Sequence, residues 1–430
     1  MINTCNLDID NSGKSLVTDK LQKLIDENNE LTIDKGVYLV GPLFLHDNFK
    51  LVLDNCVLLA STDEANYKDI FTRVAGIEMN WYPGILNVIN CNNVIISGNG
   101  IIDGNGKYWY LKYWGIDTKG GMREEYDRLG IRFLCDYDCK RPRNLLVQNS
   151  SNIEIKEITS KDSGFWNIHV LYSHDITINN IIINSGNENS PSTDGIDIDS
   201  CYDCIIENVT SNTNDDSICI KSGRDYDGLR VNMPCHDIII RNCKILRGFG
   251  ITLGSELSGG IYNIDIDNID FINTDCAFRI KSSENRKGYI KNINVSNLRC
   301  SNVKYLININ LGWNPNYNKL EIPSGLDIEY KDYYDTILKN VDTNISNTII
   351  DDIRINNVFS RNSNDYKGIS RVFHINGFDN PKINNIYINN LDVIAYEYGL
   401  VNNINNLDIK DSNIITDILI DEDNNEYDNR

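Results

Sequence analysis

Proline and methionine are scarce in this chain, 8 and 4 among 430 residues, and helix formers such as alanine are rare. Asparagine is very common, and isoleucine is the main apolar residue. That balance argues against a helical protein and for strands joined by asparagine-rich turns. No apolar run is long enough to span a membrane, so no membrane partner is expected. The first eleven residues have neither a basic start nor an apolar core and do not read as a signal peptide. The expected location is the cytoplasm by default, or outside the cell if an export signal was removed. A basic arm or stripe is also missing, and the net charge is −20. Both speak against a nucleic-acid partner. An acidic protein that binds an acidic polymer must concentrate cations locally against its own field.

Metal-site spacing is missing as well. The twelve cysteines include one C-x-x-C, Cys201-Tyr-Asp-Cys204, with no second copy and no close histidine. A tetrahedral metal site is therefore not expected, and neither is a cofactor. Cys91, Cys201 and Cys235 each stand three residues before Val94, Cys204 and Ile238. A recurring small buried slot explains that spacing, so the thiols should be mostly free and buried.

What the chain does have is a repeat of the form N-x-I-x-I. Its first apolar positions are Val94, Ile153, Ile176, Cys204, Ile238, Ile264, Ile293, Ile353 and Ile386. The steps between them are 59, 23, 28, 34, 26, 29, 60 and 33 residues. The two long steps, each near two ordinary ones, carry extra loops. Short strands with asparagine turns at this period predict an all-β fold, a single-stranded right-handed parallel β-helix. The Leu-x-x-Leu-x-Leu pattern of leucine-rich repeats is missing. Residues 1–35 are expected to cap the solenoid, with an amphipathic helix over 15–27 carrying Leu16, Leu21, Leu24 and Ile25 on one side. The solenoid is expected over 36–420, with insertions at 104–140 and 311–340 and an acidic, mobile tail at 421–430. Both insertions are rich in aromatics, which suit sugar faces or pack the loops down.

Residues 193–281 hold the densest chemistry. Ile196 and Ile198, Ile218 and Ile220, Ile251 and Leu253, Phe278 and Ile280 form successive apolar pairs. Side chains alternate along a strand. The opposite face therefore stacks Asp197, Cys219, Thr252 and Arg279, beside Asp199, Lys221, Gly254 and Lys281. The same register sets Asp194 next to Asp216, one coil apart. Adjacent strands lie about 4.8 Å apart, so Asp194, Asp215 and Asp216 must crowd one another near Arg279 and Lys281.

These motifs resemble glycoside hydrolase family 28, the polygalacturonase and rhamnogalacturonan hydrolase family. The resemblance rests on Ser192-Thr-Asp194-Gly-Ile-Asp197, Asn214-Asp215-Asp216, Gly248-Phe-Gly-Ile-Thr-Leu-Gly-Ser255-Glu256 and Arg279-Ile-Lys281. It runs loosely from 36 to 410 and takes in Arg141-Pro142 and Trp166-Asn-Ile-His169. It implies a pectin-lyase-like solenoid that hydrolyses glycosidic bonds with inversion. By position Asp215 matches the acid, and Asp194 and Asp216 match the pair that holds the water. Arg279 and Lys281 resemble the ligands of a uronate carboxylate, a contact that suits the forked guanidinium. Lys221, Arg224 and Arg230 could add positive charge. Asp197 either orients the site or touches substrate. His169, in the outward column beside Asp197, either lines the cleft floor or serves the structure. Glu256 is expected to brace its turn. The chain departs from the family's polygalacturonases at Phe249, which stands where they carry histidine. That weakens simple homogalacturonan endo-cleavage.

The expected function is hydrolysis of α-linked galacturonosyl bonds in pectic substrates of rhamnogalacturonan or oligogalacturonide type. The insertions would wall one end of the cleft and give exo-action. A polysaccharide lyase on the same scaffold and a non-catalytic glycan-binding solenoid are the competing readings.

Overall fold

The residue before each repeat's first apolar position takes a left-handed backbone. In the computed structural model, which describes residues 2–187 and 189–418, Asn93, Asn152, Asp175, Asp203, Asp237, Asn263, Asn292, Asp352 and Asn385 have φ between 49° and 62°. Among residues with a Cβ, Asn and Asp tolerate that conformation best. Their side chains also bond along the stack: Asn263 Nδ2 donates to Asp237 at 2.9 Å and Asn292 Nδ2 to Asn263 at 2.7 Å. The abundance of asparagine is thus a turn requirement repeated once per coil.

Each turn delivers the next isoleucine inward. Val94, Ile153, Ile176, Cys204, Ile238, Ile264, Ile293, Ile353 and Ile386 pair directly, coil on coil, in parallel register. All are buried, the valine and isoleucines each worth roughly 1.5–3 kcal/mol. The two long steps are single coils with insertions, since Val94 pairs with Ile153 and Ile293 with Ile353. The chain is a right-handed parallel β-helix of three-faced coils. No disulfide forms among the described residues, and every cysteine but Cys5 is buried. Cys201 and Cys235 point their thiols at carbonyls of the preceding coil, Val170 O at 3.4 Å and Ile198 O at 3.5 Å.

The capping helix spans Thr18–Glu27 and buries Leu21 and Ile25. It starts later than the sequence predicts, because Ser12–Leu16 pairs as a strand and leaves Leu16 exposed. The expected tail at 421–430 lies outside the described residues. No helix among those described is long and apolar enough to cross a membrane.

One face of the solenoid carries the site. Its strands include Leu145–Gln148, Ile168–Leu171, Ile196–Asp199, Ile218–Lys221, Ile251–Leu253, Cys276–Lys281, Tyr305–Asn310 and Arg371–Asn376. Loops entering and leaving these strands rise as two walls. The entering wall includes the hairpin Ile70–Val74 and Ile77–Trp81, and the insertion with helices Gly106–Trp114, Met122–Arg128 and Cys135–Asp138. The leaving wall includes Asp225–Val231 and the long segment holding Tyr334–Ile337. Trp81, Phe133, Leu134, Tyr137, Phe165, Tyr334 and Ile337 from both walls share a second core.

Candidate active site

The two predicted stacks exist. Ile196, Ile218, Ile251 and Phe278 pair in sequence, as do Asp197, Cys219, Thr252 and Arg279. Asp199 pairs with Lys221. The backbone N–H of Gly195 donates to Asp216 O at 2.9 Å, which fixes Asp194 beside Asp216. Asp194, Asp215 and Asp216 sit in the short turns that enter the strands, and Lys221, Arg279 and Lys281 at the strands' outward positions. All six line one cleft of about 540 Å³.

Charge pairing inside the cleft is asymmetric. Lys281 Nζ lies 2.6 Å from one oxygen of Asp216, and Thr252 Oγ1 donates to the other at 2.7 Å. Arg279 is 3.7 Å from Asp216 and lies over the Phe249 ring. Lys221 Nζ is shared by Asp194 and Asp197, both at 3.4 Å, and by Glu256 at 3.2 Å. An oxygen of Asp194, one of Asp216 and the Cys219 sulfur all lie within 4.8 Å of one another. That leaves Asp194 and Asp216 spaced to hold one water between them.

The pairing divides the protons. Burial first, then Asp215 and Asp197, push Asp194 well above the usual carboxylate range. Burial and the charge of Asp216 push Asp215 up to about 6. Burial opposes ionisation of Asp216 too, but Lys281 and Arg279 outweigh it and hold Asp216 at about 2. Crowded like charges cannot all ionise. Asp216 is the one that does.

Three predicted binding residues do not reach the open cleft. His169 has no exposed surface, sits edge-on beneath Trp166 and lies 3.5 Å from Asp199. Burial and Arg143 lower its pKa to about 4. It serves the floor from below, because Trp166 covers it. Asp197 is equally buried under Lys221, and burial raises it to about 8. Arg224 ties the walls together: it donates to the Tyr137 hydroxyl at 2.9 Å and to Tyr317 O at 2.8 Å. Its direction follows the packed wall, which strand periodicity does not describe. Arg230 pairs with Glu78 and Asp227, away from the cleft. Glu256 does more than brace a turn, since it lines the cleft and holds Lys221.

Sequence reasoning missed Arg123, Arg132 and Arg247, which also line the cleft. Arg247 precedes the Gly248 motif by one residue and could have been noticed. Arg123 and Arg132 lie in an insertion without periodicity, so no pattern marks them. Of the insertion aromatics, Tyr113, Trp114, Trp313 and Tyr317 line the cleft, whereas Trp109 and Tyr334 pack the walls.

The walls meet over one end of the groove. Asp138, on the entering wall, accepts from Tyr126 beside it and from Tyr333 and Tyr334 across the gap. Lys331 adds an ion pair at 3.0 Å. Beneath this arch the outward column residues Leu146, His169 and Asp197 are buried, as are Cys219 and Thr252 next in the column. Past Arg279 the column runs through buried Asn308 to His374 and Leu400, which are partly exposed.

The family model described as glycosyl hydrolases family 28 matches residues 28–356. A Vitis vinifera protein named "Probable polygalacturonase" is 30% identical over 310 residues, covering 68% of this chain and 59% of the relative. An endo-polygalacturonase of Pectobacterium carotovorum is 25% identical over 75% of this chain and 78% of its own. The solved exopolygalacturonase of Thermotoga maritima shares the fold at TM-score 0.74 and 24% identity, over 98% of this chain and 92% of its own.

Proposed function

Since the chain belongs to glycosyl hydrolases family 28, we propose that it hydrolyses α-linked galacturonosyl bonds from the ends of pectic chains, by direct displacement with inversion. The names of relatives include both endo- and exo-acting enzymes, so they do not choose the mode. The arch supports the exo mode, because a groove closed at one end would admit a chain end and not a chain middle.

Asp215 has the acid's character, a partly exposed carboxyl on the cleft whose proton is held to about pH 6. It would protonate the oxygen of the departing sugar. Asp216, kept ionised by Lys281 and Arg279, would take the proton from water. Asp194 would orient that water from one coil away. Inversion needs roughly 6.5–9.5 Å between acid and base groups to leave room for water. Asp194 belongs to a coil nearer the arch, and Arg279 and Lys281 to one nearer the open end. That order supports entry of the non-reducing end under the arch, with the departing uronate on Arg279 and Lys281. No step draws on a metal.

Phe249 supports a second reading of the substrate. Its ring packs under Arg279 at 4.8 Å, an apolar surface that a neutral deoxy-sugar could share. An alternating rhamnogalacturonan backbone is then a substrate beside oligogalacturonides.

Product analysis on long polygalacturonate and on defined pectic oligosaccharides tests the reading. Expected are one small product from the first minutes, slow loss of viscosity and a β-anomer in the first NMR spectra. Early viscosity loss with mixed oligomers would overturn the exo mode. An ultraviolet-absorbing unsaturated product would indicate a lyase instead. Binding without turnover would leave the glycan-binding reading.

A further inference from the structure

We infer that Arg123 and Arg132, on the inserted arch, form a second carboxylate seat that holds the terminal, non-reducing galacturonate of the substrate. The inference rests on the chain-end reading above and deepens it. Arg279 and Lys281 are engaged with Asp216 and the departing sugar, so a uronate under the arch needs its own cations.

The geometry supplies them. Arg123, Arg132 and Asn314 line the cleft and also a second cavity of about 340 Å³ beside it. Lys319 lines that second cavity, where Asp127 is the one carboxylate. Arg132 donates to Asp136 at 2.9 Å, but Asp136 also binds Arg141 at 3.0 Å. Asp136 thus divides one negative charge between two guanidinium groups and leaves net positive charge at the wall. Arg132 keeps 13% of its side chain exposed where it lines both cavities, and a ligand carboxylate is the kind of acceptor that a guanidinium grips in two-pronged fashion. Aromatic faces hold both side chains: Arg132 lies 5.4 Å from the Tyr317 ring and Arg123 5.4 Å from the Trp114 ring. Arg123 also donates to Asp127 at 2.6 Å and to the Tyr113 hydroxyl at 3.4 Å. In a chain of net charge −20, such a gathering of cations on a cleft wall favours an anionic ligand there.

The test crosses the loss of charge on the protein with the loss of charge on the substrate. Trigalacturonate is compared with the same trimer methyl-esterified on its non-reducing unit alone. With the free acid, Arg132→Gln should raise KM roughly 10- to 100-fold, the range of one lost charge-assisted hydrogen bond, and leave kcat within about twofold. With the ester, wild type and Arg132→Gln should have the same KM. Arg132→Lys should recover part of the loss, and Arg123→Gln should act in the same sense. Equal penalties of the substitution on acid and ester would overturn the seat, because a purely structural role ignores the substrate's charge. If no trimer is turned over, the chain-end hydrolase reading fails by itself. Calorimetric binding of the two trimers to wild type and Arg132→Gln then decides the seat separately: an affinity loss confined to the free acid supports it, and equal affinities refute it.

Discussion

Replacing Lys281 with Gln should move the acid limb of activity upward. Lys281 Nζ stands 2.6 Å from Asp216, with both side chains buried. Unit charges at that distance attract by roughly 6 kcal/mol at an effective dielectric constant of 20, an upper bound of about 4–5 pKa units. Arg279 and Thr252 remain on Asp216 in the variant, and water fills the space left by the ammonium. We therefore expect about half the bound, or roughly 2 units. Asp216 starts at about 2, so kcat of Lys281→Gln should begin to fall below about pH 4. The assay is kcat against pH from 3 to 8 on one saturating oligogalacturonide, for wild type and variant. The substrate's carboxylates titrate alike in free solution, and an oligogalacturonide esterified on the unit beside Arg279 and Lys281 removes the bound one from the comparison. A lower kcat with the acid limb in its old position would refute the assignment of Asp216 as the base.

Asp215→Asn should reduce kcat by roughly 10²–10⁴-fold and leave oligogalacturonide affinity nearly unchanged in calorimetry. Wild-type kcat should fall tenfold per pH unit above about 6, where Asp215 loses its proton. Asp138→Ala strips the acceptor from Tyr126, Tyr333 and Tyr334. It should cost roughly 2–3 kcal/mol in urea unfolding and allow longer products from long polygalacturonate as the arch loosens. Arg73 and Asp199 form a fully buried pair at 2.8 Å, so Arg73→Met should destabilise by roughly 3–5 kcal/mol. Burial opposes the Asp199 charge, but Arg73 outweighs it and lowers Asp199 from 3.8 to about 2. The stability this pair gives is present above pH 3.8 and lost as pH falls through about 2. Acid denaturation followed by circular dichroism should lose that step in the variant.

The solenoid and the aspartate cluster were legible before any coordinates. Alternation along a strand is strictly local, and stacking of identical coils makes each local choice repeat. Once Ile196 is inward, Asp197 is outward, and one coil later the same holds for Ile218 and Cys219. Asn93 and its successors announce the turns because few residues with a Cβ accept a left-handed backbone. Asp194, Asp215 and Asp216 needed only that register to meet.

The loops follow no such rule. Whether Arg224 enters the cleft or clamps Tyr137, and whether His169 sees solvent or hides under Trp166, depends on what packs above the sheet. Arg132 reaches the cleft because its insertion folds back over the groove, and the partners that hold it there, Asp136 apart, are Tyr317 on the opposite wall and the aromatic core beneath. The closing of one groove end by Asp138 joins segments about two hundred residues apart. The chain alone determined a spiral sheet with three acids on one edge. Only the packing of its irregular segments decided which cations line the cleft and where the two walls meet, because those segments take their direction from contacts distant in sequence.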